Sequence, residues 1–178
     1  MAVSASDLVL RYSKVTATAG WQTGGTASTS RGKFMAQEAM PSGALHNLFD
    51  VVSADENAAA DVEYRCVFIH NTNATDSALN GKLWVSQIDG GAGAAIAHDL
   101  AGAVAYNLGT AQADDIVDES TAPSPALSWS TVSSRSTGLT VPTLAANQCI
   151  GVWIKRTAAN SDAMSNDGAS LYLYVETA

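Results

Sequence analysis

Positive charge is scarce in this chain. Nine Lys and Arg face 17 Asp and Glu over 178 residues, for a formal net charge of −8. The basic residues are scattered, and only Lys155 and Arg156 are neighbours, which in a strand point to opposite faces. A nucleic-acid surface needs clustered Lys and Arg to neutralise phosphates, so no nucleic-acid partner is expected. Long apolar runs are missing as well. The least polar stretch, residues 92–108, is interrupted by His98 and Asp99 and falls short of the ~20 residues a spanning helix needs, so no membrane span is expected. The first ten residues hold no base and no apolar core, so no secretory signal peptide is expected either, and the sequon at Asn73 gains no meaning.

Cysteine is limited to Cys66 and Cys149, each inside an apolar run. They read as small buried hydrophobes, with a bridge between facing strands left open because geometry decides it. Charged residues are only 15 % and hydrophobic ones 47 %, which excludes a disordered acidic tail. A chain of this length is one domain, residues 1–178, able to bury a core without staples.

Short alternating runs are what the sequence does contain. Residues 62–71 (VEYRCVFIHN) are the clearest: Val62, Tyr64, Cys66, Phe68 and His70 share one face, while Glu63 and Arg65 give way to Val67 and Ile69 on the other. That pattern predicts a strand wet at one end and covered on both sides at the other. Further strands are expected at 7–12, 45–52, 79–88, 104–108, 127–132, 148–157 and 170–176. In 79–88, Leu83 and Val85 oppose Lys82, Trp84 and Ser86; in 170–176, Leu171, Leu173 and Val175 oppose Tyr172 and Tyr174. No long amphipathic helix competes; two helical turns are expected at 33–40 and one at 56–60. About eight such runs separated by turn residues predict an all-β fold, a single antiparallel β-sandwich, jelly-roll-like.

Residues 13–44 are the candidate for an extended arm or long loop, because 13–32 are rich in Ser, Thr and Gly yet carry Trp21. Trp21 either folds back on its own sandwich or docks on a partner. Residues 114–136 read as a second surface loop, with the acidic DDIVDE followed by a Pro/Ser segment.

Motifs for chemistry are absent from the sequence. His46, His70 and His98 lie 24 and 28 residues apart, without zinc-ligand spacing. Carboxylates cluster at Asp114, Asp115, Asp118 and Glu119 and at Asp55, Glu56 and Asp61. DDIVDES lacks the alternation of a calcium loop, and nothing singles out a glycosidase-like pair, for which Asp115 and Asp118 would be the first residues to mutate. Gly90-Gly91-Ala92-Gly93 has neither the Lys nor the following helix of a phosphate loop. The expectation is therefore no enzyme, no cofactor and no metal. Small residues dominate (32 Ala, 14 Gly, 34 Ser plus Thr), as suits a structural or binding part. The candidate partner-binding residues are Trp21, Phe34, Met35, Trp84, Tyr172 and Tyr174, because Trp and Tyr are enriched at binding hot spots.

Several blocks together resemble a known class. These are Asn47-Leu48-Phe49-Asp50, the acidic and Ala-rich 54–61, Glu63-Tyr64-Arg65-Cys66 with the run ending in Asn71-Thr72-Asn73, Lys82-Leu83-Trp84-Val85, and Val152 through Thr157. The pattern, over roughly 45–156, resembles small virion structural proteins of tailed bacteriophages, of the capsid decoration (cement) type. The resemblance implies a non-enzymatic β-sandwich, made in the host cytoplasm and placed on the virion surface. Its implied partners are the major capsid protein and other copies of itself. The alternative from a different class is a glycan-binding sandwich of a tail fibre or adhesin, stacking sugar rings on Trp84, Tyr172 and Tyr174.

Overall fold

The computed structural model describes residues 3–87, 92–158 and 169–176. Of the glycine-rich stretch considered as a phosphate loop, Gly90 and Gly91 lie outside the described residues. Eight strands form: β1 (Leu8–Ser13), β2 (Met35–Ala39), β3 (Val62–Asn71), β4 (Leu79–Gln87), β5 (Ala92–Ala105), β6 (Leu139–Val141), β7 (Gln148–Ala158) and β8 (Ala169–Glu176). The one α-helix among the described residues, α1 (Ala54–Ala59), has Ser53 as its N-cap and Glu56 closing the capping box, and ends at Ala60 in the left-handed conformation.

Two antiparallel sheets result, in the orders β2-β1-β3-β7-β5 and β6-β4-β8. The expected all-β sandwich of eight strands is therefore what the chain forms, divided five and three. From β3 onward every successive strand changes sheet. Each connection thus crosses the sandwich, and local hairpins play little part.

Alternation in the sequence sets two separate cores. Val67, Ile69, Ile150, Val152 and Ile154 of the large sheet face Leu83, Val85, Val141 and Val175 of the small one. Each such buried side chain contributes ~1.5–3 kcal/mol of transfer free energy. The opposite face of the large sheet carries Met35, Cys66, Phe68, Ala97, Cys149 and Trp153, covered by Ala113, Ile116 and Leu127. The loops that supply this cover act as a third layer. β3 is buried on both faces from Arg65 onward, as its pattern predicts, but the end expected to be wet is not: Glu63 and Arg65 are each 5 % exposed, paired with Arg156 and Glu119.

Five expectations are corrected. Residues 33–40 carry helix-forming Met, Ala, Gln and Glu, yet they form β2, because pairing Ala39 with Arg11 and Met35 with Ser13 buries Met35 and Ala36 completely. Tertiary burial overrides propensity there. Residues 45–52 form turns instead of a strand, with Leu45 87 % exposed. Of 127–132, only a bridge between Ile96 and Ser130 is strand-like, and β5 ends at Ala105, short of the expected 104–108.

The fifth concerns the arm. Residues 14–34 are a long loop packed on the large sheet, not a projecting arm. Val15 donates to Thr29 O (3.2 Å), Gly20 to Leu108 O (2.9 Å), Trp21 to Met35 O (2.8 Å) and Cys66 to Ser30 O (2.8 Å). The Ser13 hydroxyl donates to Cys66 O at 2.8 Å and accepts from Gly32 N at 2.9 Å. Gly32 has φ +86°, and a Cβ there would lie 1.8 Å from Asp114 O, so only glycine fits.

Candidate functional site

The outer face of β6-β4-β8 presents the side chains that alternate away from the core. Antiparallel register places Lys82 opposite Tyr174 and Trp84 opposite Tyr172. The Trp84 and Tyr172 rings are 5.4 Å apart between centroids and 8° from parallel. At that separation the rings overlie each other with an offset, each giving one face to the other. Tyr172 is 47 % exposed. One register step along, the Arg135 guanidinium lies 3.5 Å above the Tyr174 ring centroid, a cation–π contact that pre-orients its donors. An open groove of about 610 Å³ runs beside it, lined by Lys82, Arg135, Ser136, Thr140, Tyr174 and the Asn80–Glu176 pair. Lys82 Nζ donates to Thr140 Oγ1 at 2.7 Å, and Asn80 Nδ2 to Glu176 Oε2 at 2.7 Å.

Trp21 belongs to a different cluster at the end of the large sheet. Its backbone takes φ +66°, unusual for a bulky residue, held by Trp21 N to Met35 O and by Gln37 Nε2 to Trp21 O at 2.8 Å. Its ring packs edge-on to His70 (5.5 Å) and Tyr106 (5.1 Å), with Arg11 4.7 Å above it. Trp21 therefore docks on its own sandwich. His70 Nδ1 accepts from Arg11 Nε at 3.1 Å, and Nε2 has no partner among the described residues. Burial, then the Arg11 charge, push the His70 pKa down to about 4.

A third polar centre is buried under the loop layer. β5 bulges at 99–102 opposite Gly151, where a larger side chain would press on Ala113 and Asp99. Asp99, 3 % exposed, accepts from Trp153 Nε1 (2.8 Å), Asp114 N (3.0 Å) and Ala101 N (2.9 Å). Three donors engage both oxygens of this buried carboxylate, and the bond from Asp114 N ties the loop layer to the sheet. Nearby burial, and the Asp99 and Asp115 charges, raise the Asp114 pKa.

The remaining sequence candidates separate. Phe34 and Met35 are 3 % and 0 % exposed and serve the core, so they present nothing to a partner. Trp84, Tyr172 and Tyr174 do come together on one face. His46 is exposed, and His98 Nε2 sits 2.7 Å from Thr140 O, its pKa lowered by burial. No group of three or more His, Cys, Asp or Glu able to hold a metal occurs among the described residues. Cys66 is opposite Trp153 and Cys149 opposite His70, which separates them by four residues along the strands, roughly 13 Å. Both are free buried thiols, with pKa raised by burial, that of Cys149 to about 12.

Sequence reasoning missed Arg135, Ser136 and Thr140 of the groove. They lie in the Ser/Thr-rich stretch 128–140, which has no periodicity, and only the alternation of Lys82 with Trp84 hinted at a polar-aromatic face. No protein family, curated protein or solved structure matches this chain.

Proposed function

We propose that the chain is a non-enzymatic virion structural protein that decorates and stabilises a tailed-phage capsid by bridging subunits of the major capsid protein. The blocks that resemble such proteins fall largely on β3, β4 and β7, the middle of the frame. The observation that carries the proposal is the outer face of β6-β4-β8, which no other sheet covers among the described residues, with its Trp84–Tyr172 stack. Trp, Tyr and Arg concentrate binding energy at protein interfaces, and here all three stand on one sheet face. A protein that binds the assembled shell better than free subunits stabilises the shell by mass action. Net negative charge keeps many copies from binding the genome.

The glycan reading is favoured by one feature, the open groove beside Tyr174. Against it, Trp84 and Tyr172 stack on each other and Arg135 covers one face of Tyr174, so no shared flat platform is offered to a sugar.

Quantitative mass spectrometry of purified particles tests the proposal. Copies comparable to the major shell protein are expected, and W84A/Y172A protein should fail to rebind shells stripped of it. Absence from particles overturns the decoration role. Presence in only a few copies moves the protein to tail or fibres and raises the glycan reading.

A further inference from the structure

The chain displays, on opposite faces, two features that complement each other. On the outer face of the small sheet lies the groove, with Lys82 and Arg135 as cations and Tyr174 as an apolar wall. The Arg135 guanidinium stacks on Tyr174 and has no carboxylate partner among the described residues. Glu176 is the one acid there, and Asn80 engages it. On the far side of the large sheet, residues 115–118 form a knob. Ile116 points inward, 3 % exposed, while Val117 is 79 % exposed between Asp115 and Asp118, both exposed. Of the neighbouring acids, Glu119 is paired with Arg65 and Asp114 is partly covered. Asp118 keeps one oxygen on Thr121, at 2.7 Å.

A protruding apolar side chain flanked by carboxylates matches an aromatic groove flanked by cations. Because knob and groove lie on opposite faces of one molecule, they cannot meet within it. We infer that the groove receives the 115–118 knob of a second copy of this chain. The contact is head-to-tail, so each copy offers one groove and one knob, and a series of copies forms a ring or an open row. Such a small contact is weak in dilute solution. It becomes effective when copies are held close together on a surface, where the effective concentration is high. The inference goes beyond the decoration role and does not require it.

Sedimentation velocity on the full chain, from tens of micromolar to about 1 mM, tests this at low salt and at about 0.5 M NaCl, where charge interactions are screened within a few ångström. The sedimentation coefficient should rise with concentration at low salt and stop rising at high salt. R135E should remove the rise, and D118R on the opposite face should remove it too. The double variant R135E/D118R should restore it, since both charges are reversed. D118R also guards against a folding defect in R135E. A single species at every concentration, or association that both single variants leave intact, overturns the inference. Saturable binding of an oligogalacturonate to a monomer, with shifts at Lys82 and Tyr174, assigns the groove to an acidic glycan and overturns it as well. A protein that is monomeric yet abundant in particles refutes the head-to-tail contact alone; one that self-associates yet is absent from particles refutes only the decoration role.

Discussion

Acid should destabilise this fold as pH falls below about 6.5, and His70 is the reason. The imidazole is 3 % exposed, wedged between Trp21 and Tyr106, and its Nδ1 accepts a proton-bearing nitrogen of Arg11 at 3.1 Å. Protonation would abolish that acceptor and set two cations against each other in a desolvated place. The folded pKa is accordingly about 4, below the ordinary 6.5. A histidine held neutral by folding contributes its full stability above the unfolded pKa and loses it as pH falls toward the folded one. For values of 6.5 and about 4, the loss between pH 7.5 and pH 5 is about 2 kcal/mol, with a ceiling near 3 kcal/mol at lower pH. His98, its pKa also lowered by burial, acts in the same direction. Glu63 and Asp114, whose pKa values are raised by burial, act oppositely, because their neutral forms suit the fold. Asn at position 70 retains an acceptor toward Arg11 without a titrating group. Urea unfolding of wild type and H70N at pH 7.5, 6 and 5 gives both curves. H70N should begin less stable, having lost ring packing, and then lose about 2 kcal/mol less than wild type between pH 7.5 and 5. Parallel curves for the two proteins would refute the assignment.

Three further outcomes follow from the buried polar frame. G32A should cost about 3 kcal/mol or more, since strain at φ +86° adds to a Cβ contact of 1.8 Å with Asp114 O; a melting temperature within a few degrees of wild type would contradict it. D99N should cost roughly 2 kcal/mol and shift Trp153 fluorescence, because the replacing amide cannot accept from all three of the donors that Asp99 satisfies. Cys66 and Cys149 should resist an aromatic disulfide reagent in the native protein and react only after denaturant is added, without prior reduction. Rapid native labelling would show that the thiols are not buried.

Legibility in the sequence followed the contrast between neighbouring side chains. β3, β4, β7 and β8 were readable because large apolar residues alternate with polar or aromatic ones, and β3 even revealed its double burial through Val67 and Ile69. β5 escaped because Ala94, Ala95 and Ala97 line it; small side chains mark no face, although Ala95 and Ala97 are buried. β2 escaped because its residues favour a helix when isolated, and only the pairing with β1 decides otherwise. The run at 45–52 misled in the other direction. Leu48 is buried and Phe49 packs on the core, while Leu45 and Val51 point to solvent, so apolar content there marks no strand. The candidate face on the small sheet was half legible: Trp84, Tyr172 and Tyr174 came from alternation, but Arg135 arrives from a distant loop that only tertiary structure brings over Tyr174.

The loop layer also bears on which side of the molecule is proposed for shell contact. An arm that reaches out must leave behind a sheet face that tolerates water. Here the face beneath 14–34 and 106–127 holds Cys66, Phe68 and Trp153, none of them more than 0 % exposed. Releasing those loops would expose this core and strip Asp99 of its bond to Asp114 N. Attachment through a detached N-terminal segment would thus oppose folding itself. The small sheet faces no such conflict. Its outer side chains, Lys82, Trp84, Tyr172 and Tyr174, keep their register through β4–β8 pairing whether or not anything covers them. A surface whose geometry is fixed in advance loses little conformational entropy on binding. The small sheet is therefore the face we propose for shell contact, while residues 14–34 serve the fold.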